Sequence, residues 1–172
     1  TIVGCGAPLG PCVGHVDAIR ISADHAPGWL PEIMGFTWLF ANDRTNLPSG
    51  RNMVRNVSVR MPLGAKLWNN DPDCVILREE GTEYSLRQAQ ALATVAALSA
   101  GSLIFSDPPR SLTPERLAIL EAVLPPLLPS PAVPVDLTSR EIPRQLQVKL
   151  AGRPDAETLG TWHLLAVFNW DS

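Results

Sequence analysis

The sequence predicts an α/β fold that is followed, after a proline-rich segment, by a short β region. Up to residue 124, short apolar runs alternate with helical patterns, which is typical of parallel β/α units. Five of the 17 prolines fall within residues 125–134, and such a composition predicts a stiff linker. Polar and apolar residues then alternate over 145–150, as in a strand with one solvated face. We therefore predict one domain over 1–124, a linker over 125–134 and the start of a second domain over 135–172.

The composition is globular and excludes several function classes. The chain has 172 residues, 45% hydrophobic and 18% charged, which excludes a disordered tail. A net charge of −3 supplies no basic surface for phosphates, so nucleic acid is not an expected partner. The longest uncharged stretch, 89–106, is interrupted by polar residues and is shorter than the about 20 apolar residues that span a bilayer. No transmembrane helix is predicted, and three cysteines leave the redox compartment open.

Four apolar runs before the linker are predicted strands, at residues 2–4, 16–21, 66–77 and 102–105. Ser85 and Gln88 form a capping-box pattern that predicts a helix between the third and fourth runs. Thr113 as N-cap and Pro114 in the first turn predict another helix, which the prolines at 125 and 126 end. After the linker, residues 145–150 and 162–170 are predicted as antiparallel strands joined by a turn-rich region over 152–155.

Two clusters near the start of the chain offer weak chemical signals. The stretch GCGAPLGPCVG, residues 4–14, is not a dinucleotide fingerprint, because its third glycine comes one place late and prolines obstruct the helix that should follow. A glycine-rich strand end and turn is the favoured interpretation. Cys5, Cys12, His15 and His25 could bind zinc, but their spacing lacks the short Cys-Cys knuckle. Buried thiols and surface imidazoles are the simpler interpretation.

Two further clusters carry carboxylates in or beside predicted strands. Asp17, Arg20 and Asp24 lie in VDAIRISAD, where loops of parallel β/α folds place their sites, although charged strand ends are also common as solvated structure. The stretch WNNDPDC, residues 68–74, holds two aspartates on either side of a proline, next to a tryptophan. An aromatic ring beside carboxylates suits a sugar, whose CH face stacks while its hydroxyls donate to the acids. The alternative is an Asp-Pro-Asp turn.

Taken in order, GCGAPLGP, VDAIRISADHAPGW, LWNNDPDC and SLRQAQALATVAALSAGSLIFSD followed by SLTPERLAIL resemble the alpha-galactosidases (melibiases). These motifs are most similar to those of glycoside hydrolase family 36, which belongs to the same clan as family 27. The resemblance implies the C-terminal half of a (β/α)8 TIM barrel, followed by the first strands of a C-terminal β-sandwich. It also implies retaining hydrolysis of terminal α-galactosides by two aspartates, with no metal or organic cofactor.

The resemblance also implies roles for six residues. Asp24 matches the acid/base, and Arg20 matches an arginine that contacts the substrate. Asp73 matches the aspartate that faces the sugar, and Cys5 a cysteine that lines the pocket. Trp68 and Asp71 belong to the same WNNDPDC motif as Asp73, which the resemblance places at the seventh strand of the barrel, and they are assigned to substrate binding with it.

The nucleophile of the family is an aspartate at the end of the fourth barrel strand, and this matching places it upstream of Thr1. We therefore expect the chain to be part of a larger enzyme, to need the N-terminal half of the barrel as its partner, and to be inactive alone. Rival interpretations are α-N-acetylgalactosaminidase or β-L-arabinopyranosidase activity, a non-catalytic carbohydrate-binding fragment, and an unrelated α/β domain. Compartment and oligomeric state cannot be predicted.

Overall fold

The computed structural model describes residues 1–32, 45–126, 128–150 and 160–170. In chain order its strands and α-helices are β1 (Val3–Gly4), β2 (Ala18–Arg20), α1 (Gly50–Arg60), β3 (Asn69–Asp71), β4 (Cys74–Val75), α2 (Leu86–Leu98), β5 (Ile104–Phe105), α3 (Pro114–Val123), β6 (Val133–Pro134), β7 (Gln145–Leu150) and β8 (Trp162–Val167).

The strands before residue 106 are parallel and follow one another in chain order. β1 pairs with β2, β2 with β3, and β4 with β5. The apolar run 66–77, predicted as one strand, is divided at Pro72 and Asp73, because proline cannot donate a ladder hydrogen bond and Asp73 adopts a positive φ of 79°. The break lets β3 pair with one neighbour and β4 with another. The predicted succession of parallel strands and helices is observed, with shorter strands.

The helices pack beside these strands and supply much of the core. α2 begins with the predicted capping box, in which Ser85 and Gln88 bond each other's backbone amides. α3 begins at Pro114 as predicted, but the Thr113 side chain makes no capping bond. α1 was not predicted, and its N-cap Ser49 accepts from the Asn52 amide at 3.1 Å. No described helix is long and apolar enough to cross a bilayer.

A single buried side chain, Asn70 in β3, joins the strands to both flanking helices. Its Nδ2 donates to the carbonyl oxygens of Met61 at 2.9 Å and Ser99 at 3.0 Å. The backbone carbonyl oxygen of Asn70 accepts from the Ser102 amide at 2.8 Å. Gly101 passes so close that an added Cβ would lie 2.0 Å from the Asn70 carbonyl oxygen, so a side chain at 101 would push the strand and the turn apart.

The C-terminal strands form an antiparallel sheet in the order β6–β7–β8. Leu146 and Val148 of β7 are fully covered, which confirms the predicted alternation. β6 comes from the end of the predicted linker, and the predicted turn over 152–155 lies outside the described residues. Glu141, just before β7, accepts ion pairs from Arg51 and Arg55 of α1 at 3.4 and 3.3 Å, which ties the sheet to the helical layer.

Candidate active site

The predicted charged residues converge at the carboxyl ends of two neighbouring parallel strands. Arg20 ends β2 and Asp71 ends β3, and the two residues are paired in the ladder. Arg20 Nε lies 3.2 Å from Asp71 Oδ2, and its Nη1 lies 3.1 Å from Asp73 Oδ2 and 3.0 Å from Asp24 Oδ1. We call these four residues the Arg20 cluster. Ligand sites of open parallel sheets and of barrels lie at this end of the strands.

Within the Arg20 cluster, two carboxylates are buried and one is exposed. The side chains of Asp71 and Asp73 are 6% and 11% exposed, whereas that of Asp24 is 72% exposed. Burial disfavours the charged guanidinium, but the adjacent carboxylates of Asp71 and Asp73 outweigh it, and the pKa of Arg20 is raised. Arg20 therefore stays cationic and holds Asp24 at the solvent side, where a ligand can reach it.

The Pro72 turn fixes the two buried carboxylates. Asp71 Oδ1 accepts the amide of Asp73 at 2.9 Å, and Asp73 Oδ1 accepts the amide of Cys74 at 2.6 Å. Because a carboxylate can accept about four hydrogen bonds, both aspartates keep capacity beyond their bonds to Arg20 and the backbone. The turn makes them a rigid platform.

The loop that carries Asp24 is fixed to this turn on both sides. Before Asp24, the Ser22 hydroxyl lies 3.1 Å from the Pro72 carbonyl, and after it, the His25 amide donates to Asp73 Oδ2 at 2.7 Å. The His25 ring is buried, with Nδ1 2.7 Å from the Cys74 carbonyl. Burial lowers the pKa of His25, against opposing contributions from the Cys74 carbonyl, Asp73 and Asp107, while Arg78 lowers it further.

Two other residues assigned to substrate binding lie apart from the Arg20 cluster. Cys5 follows β1 as an exposed free thiol, and it is close enough to Arg20 to contribute to the raised pKa of the guanidinium. Trp68 lies in the hydrophobic core at 6% exposure, and its indole nitrogen is buried without a partner among the described residues. A covered ring cannot stack on a sugar, so the structure gives Trp68 a place in the core and not in the site.

The weaker sequence signals have structural explanations. Asp17 directly precedes β2, at the opposite end from Arg20, and accepts the Ile2 amide at 2.7 Å. The glycine-rich stretch contains a short 3-10 turn at Gly10–Cys12. In the part of the chain that the structure describes, no three histidine, cysteine or acidic side chains are arranged to bind a metal ion.

A cavity of about 690 Å³ lies elsewhere, between α2 and the residues that end and follow β8. Trp29, Phe168 and Trp170 line it together with polar side chains of α2, and Phe168 stacks on Trp170 with ring centroids 4.7 Å apart. None of the described lining residues is acidic or a histidine. The cavity thus lacks a group for proton transfer, which the Arg20 cluster has.

Comparison with known proteins found similar solved structures. No family model matches the chain. Alpha-galactosidase from Thermus thermophilus, in complex with p-nitrophenyl alpha-D-galactopyranoside, matches with 30% sequence identity and a TM-score of 0.58, over 72% of this chain and 24% of that one. Its complex with stachyose matches with 30% identity and a TM-score of 0.58, over 71% and 26%. The fold is alpha-galactosidase-like. The chain spans about a quarter of the length of these structures.

Proposed function

We propose that this chain supplies the acid/base and part of the galactose-binding surface of a retaining glycosidase that cleaves terminal α-galactosides. One observation carries the proposal: Arg20 holds an exposed aspartate beside two buried ones at the carboxyl end of parallel strands. The similarity to an alpha-galactosidase and the order of motifs that resembles glycoside hydrolase family 36 support it.

In this proposal Asp24 is the general acid and base. It protonates the departing glycosidic oxygen and then takes a proton from the attacking water. Its exposure leaves it open to substrate, and its contact with Arg20 places it beside Asp73. Arg20 and the exposed part of Asp73 would bond the sugar hydroxyls, because charge-assisted hydrogen bonds are the stronger ones. Asp71, whose side chain is 6% exposed, would take part by orienting Arg20. Cys5 would line the same pocket from the adjacent strand.

The proposed nucleophile is a second carboxylate at the end of the barrel strand that precedes β1. Retaining glycosidases place their two carboxyl groups about 5 to 5.5 Å apart on opposite faces of the sugar. A strand paired with β1 would bring such a residue to the carboxyl end of the same sheet as Arg20. The double displacement would then need both parts of the barrel.

The parallel order of β1 to β5 supports half of a (β/α)8 barrel over residues 1–124. Val3 in β1 and Ile2 just before it are 56% and 61% exposed, and Ile104 in β5 is 41% exposed. These are the two edges at which further parallel strands would pair to close a barrel. Residues 125–134 would connect it to a β-sandwich whose first strands lie within 135–172.

The test is made in the complete enzyme and compares two aspartates, one directly before β2 and one in the loop after it. Asp24→Asn should lower kcat/KM for stachyose by about 10² to 10⁴-fold, and p-nitrophenyl α-galactoside much less, because its leaving group departs without a proton. Asp17→Asn is the matched control, since Asp17 is similarly exposed, at 65% against 72%, but lies at the other strand end. Equal effects of the two variants would refute the proposal.

Sugar binding gives a second readout. Arg20→Ala and Asp73→Ala should each weaken galactose binding by about 1.5 to 3 kcal/mol, the net contribution of a hydrogen bond to a charged group. Titration calorimetry with galactose, N-acetylgalactosamine and arabinose would identify the sugar. Unchanged galactose affinity in both variants would contradict the assignment of this surface.

A further inference from the structure

The side chain of His25, directly after Asp24, links the Asp24 loop to two other segments. Its Nδ1 lies 2.7 Å from the carbonyl oxygen of Cys74, and its Nε2 lies 3.1 Å from the hydroxyl of Tyr84. Tyr84 precedes α2 and is 59 residues away in the chain. The His25 and Tyr84 rings also contact each other, with centroids 5.5 Å apart.

The protons of this pair can be assigned from their partners. A carbonyl oxygen only accepts, so Nδ1 of His25 must carry the hydrogen that it donates to Cys74. In the neutral ring Nε2 is then an acceptor, and it shares the single hydroxyl hydrogen of Tyr84 with the carbonyl oxygens of Ala26 and Gly28. Burial raises the pKa of Tyr84, so this hydroxyl keeps its proton. The tautomer of His25 is therefore determined by the fold.

Tyr84 also holds the other end of the loop. Its hydroxyl contacts the carbonyl oxygen of Ala26, and that of Gly28 at 3.0 Å. It reaches them by passing over Gly50, where an added Cβ would lie 2.6 Å from the hydroxyl oxygen. The residues after Asp24 are thus packed around one phenol, which lies directly against a glycine of α1.

We propose that His25, acting through Tyr84 and the Cys74 carbonyl, is a positioning residue for Asp24. It does not reach the sugar; it fixes the backbone that aims the acid/base carboxylate at the glycosidic oxygen. The inference rests on the proposed function. Its chemical consequence is specific, because a misplaced acid harms the departure of poor leaving groups and spares leaving groups that need no proton.

The experiment uses the complete enzyme with stachyose and p-nitrophenyl α-galactoside as substrates. His25→Ala should lower kcat/KM for stachyose by about 100-fold, the cost of a misplacement of about 1 Å, and change that for the aryl substrate by less than about threefold. Tyr84→Phe should give the same pattern with a smaller loss. His25→Asn, which keeps a donor for the Cys74 carbonyl, should recover part of the stachyose activity.

His163→Ala is the matched control, since this histidine also bonds a side chain, Gln147, but on the exposed face of the β7–β8 pair. It should leave both substrates unaffected. An equal loss on both substrates in His25→Ala and Tyr84→Phe, or no loss on either, would overturn the proposal. If His25→Ala fails to fold, Tyr84→Phe decides, because it removes a single oxygen.

Amide hydrogen exchange separates this inference from the proposed function. If the unaltered enzyme hydrolyses neither substrate, the proposed function fails, and exchange still tests the positioning. His25→Ala and Tyr84→Phe should then speed exchange of the His25 amide, which donates to Asp73, by at least about tenfold, while amides of β7 keep their rates. Unchanged exchange at His25 in both variants would overturn the positioning role.

Discussion

The ion pairs of Arg20 should contribute very unequally to stability. Arg20 and Asp71 are 16% and 6% exposed and 3.2 Å apart, which corresponds to about 5 kcal/mol of gross attraction at an effective dielectric constant of about 20. Desolvation offsets much of this, so we expect a coupling free energy of about 2 to 3 kcal/mol. Asp24 is 72% exposed, and an exposed pair should couple by about 0.5 kcal/mol or less.

Two double-mutant cycles measure this difference. Arg20→Met is combined with Asp71→Asn in one cycle and with Asp24→Asn in the other, and the free energy of unfolding is obtained from urea denaturation at neutral pH. Asp71→Asn alone should destabilise the protein clearly, and Asp24→Asn hardly at all. Equal coupling energies in the two cycles would refute the reasoning, since Asp24 would then be a structural partner of Arg20 and not a carboxylate available to substrate.

Three further predictions concern the fold. Asn70→Ala should lower the free energy of unfolding by about 1 to 3 kcal/mol, because the Ser99 carbonyl loses its donor while the Met61 carbonyl keeps the Gly64 amide at 3.0 Å; urea denaturation checks it, and a loss under about 0.5 kcal/mol would contradict it. Because burial lowers the pKa of His25 in the folded protein, the unfolded chain binds a proton at this histidine more readily. The contribution of His25 to the free energy of unfolding should therefore be constant above about pH 6.5 and fall below it. His25→Asn should make the free energy of unfolding depend less on pH below about 6.5, whereas His15→Asn, at an exposed histidine, should not. The same pH dependence in both variants would contradict the lowered pKa of His25. Ser85→Ala should cost about 1 kcal/mol and Thr113→Ala much less, since only the Ser85 side chain caps its helix; thermal unfolding would contradict this if the two losses were equal.

Local and in-register features of the molecule could be predicted from the sequence. The capping box of α2 depends on residues three apart, and its start was predicted correctly. Arg20 and Asp71 lie in neighbouring parallel strands that were both predicted. The end of β3 at Asp71 was not, because the predicted strand over 66–77 continues through Pro72 and Asp73, where the structure divides it. The α1 helix was missed because glycine at its start and β-branched residues near its end lower helix propensity, although Ser49 and the helical spacing of Met53, Val57 and Met61 were available signals.

The position of Trp68 could have been predicted from strand alternation. Trp68 and Asn70 are two residues apart and therefore share one face of the strand, opposite to Asp71. Asn70 faces the helices, so Trp68 also belongs to the core. The link between His25 and Tyr84, in contrast, joins residues 59 apart and depends on the close passage over Gly50. No local pattern in the sequence contains that information.

The chemistry of Asp24 is tested most directly by azide trapping in the complete enzyme. In a retaining mechanism the acid/base lies on the face from which the leaving group departs. With Asp24→Asn, an aryl α-galactoside and sodium azide, the anion should replace the water that lacks its general base and release α-galactosyl azide. Asp17→Asn should give only galactose. Formation of β-galactosyl azide would make Asp24 the nucleophile, and the absence of any azide product would contradict its role as acid/base.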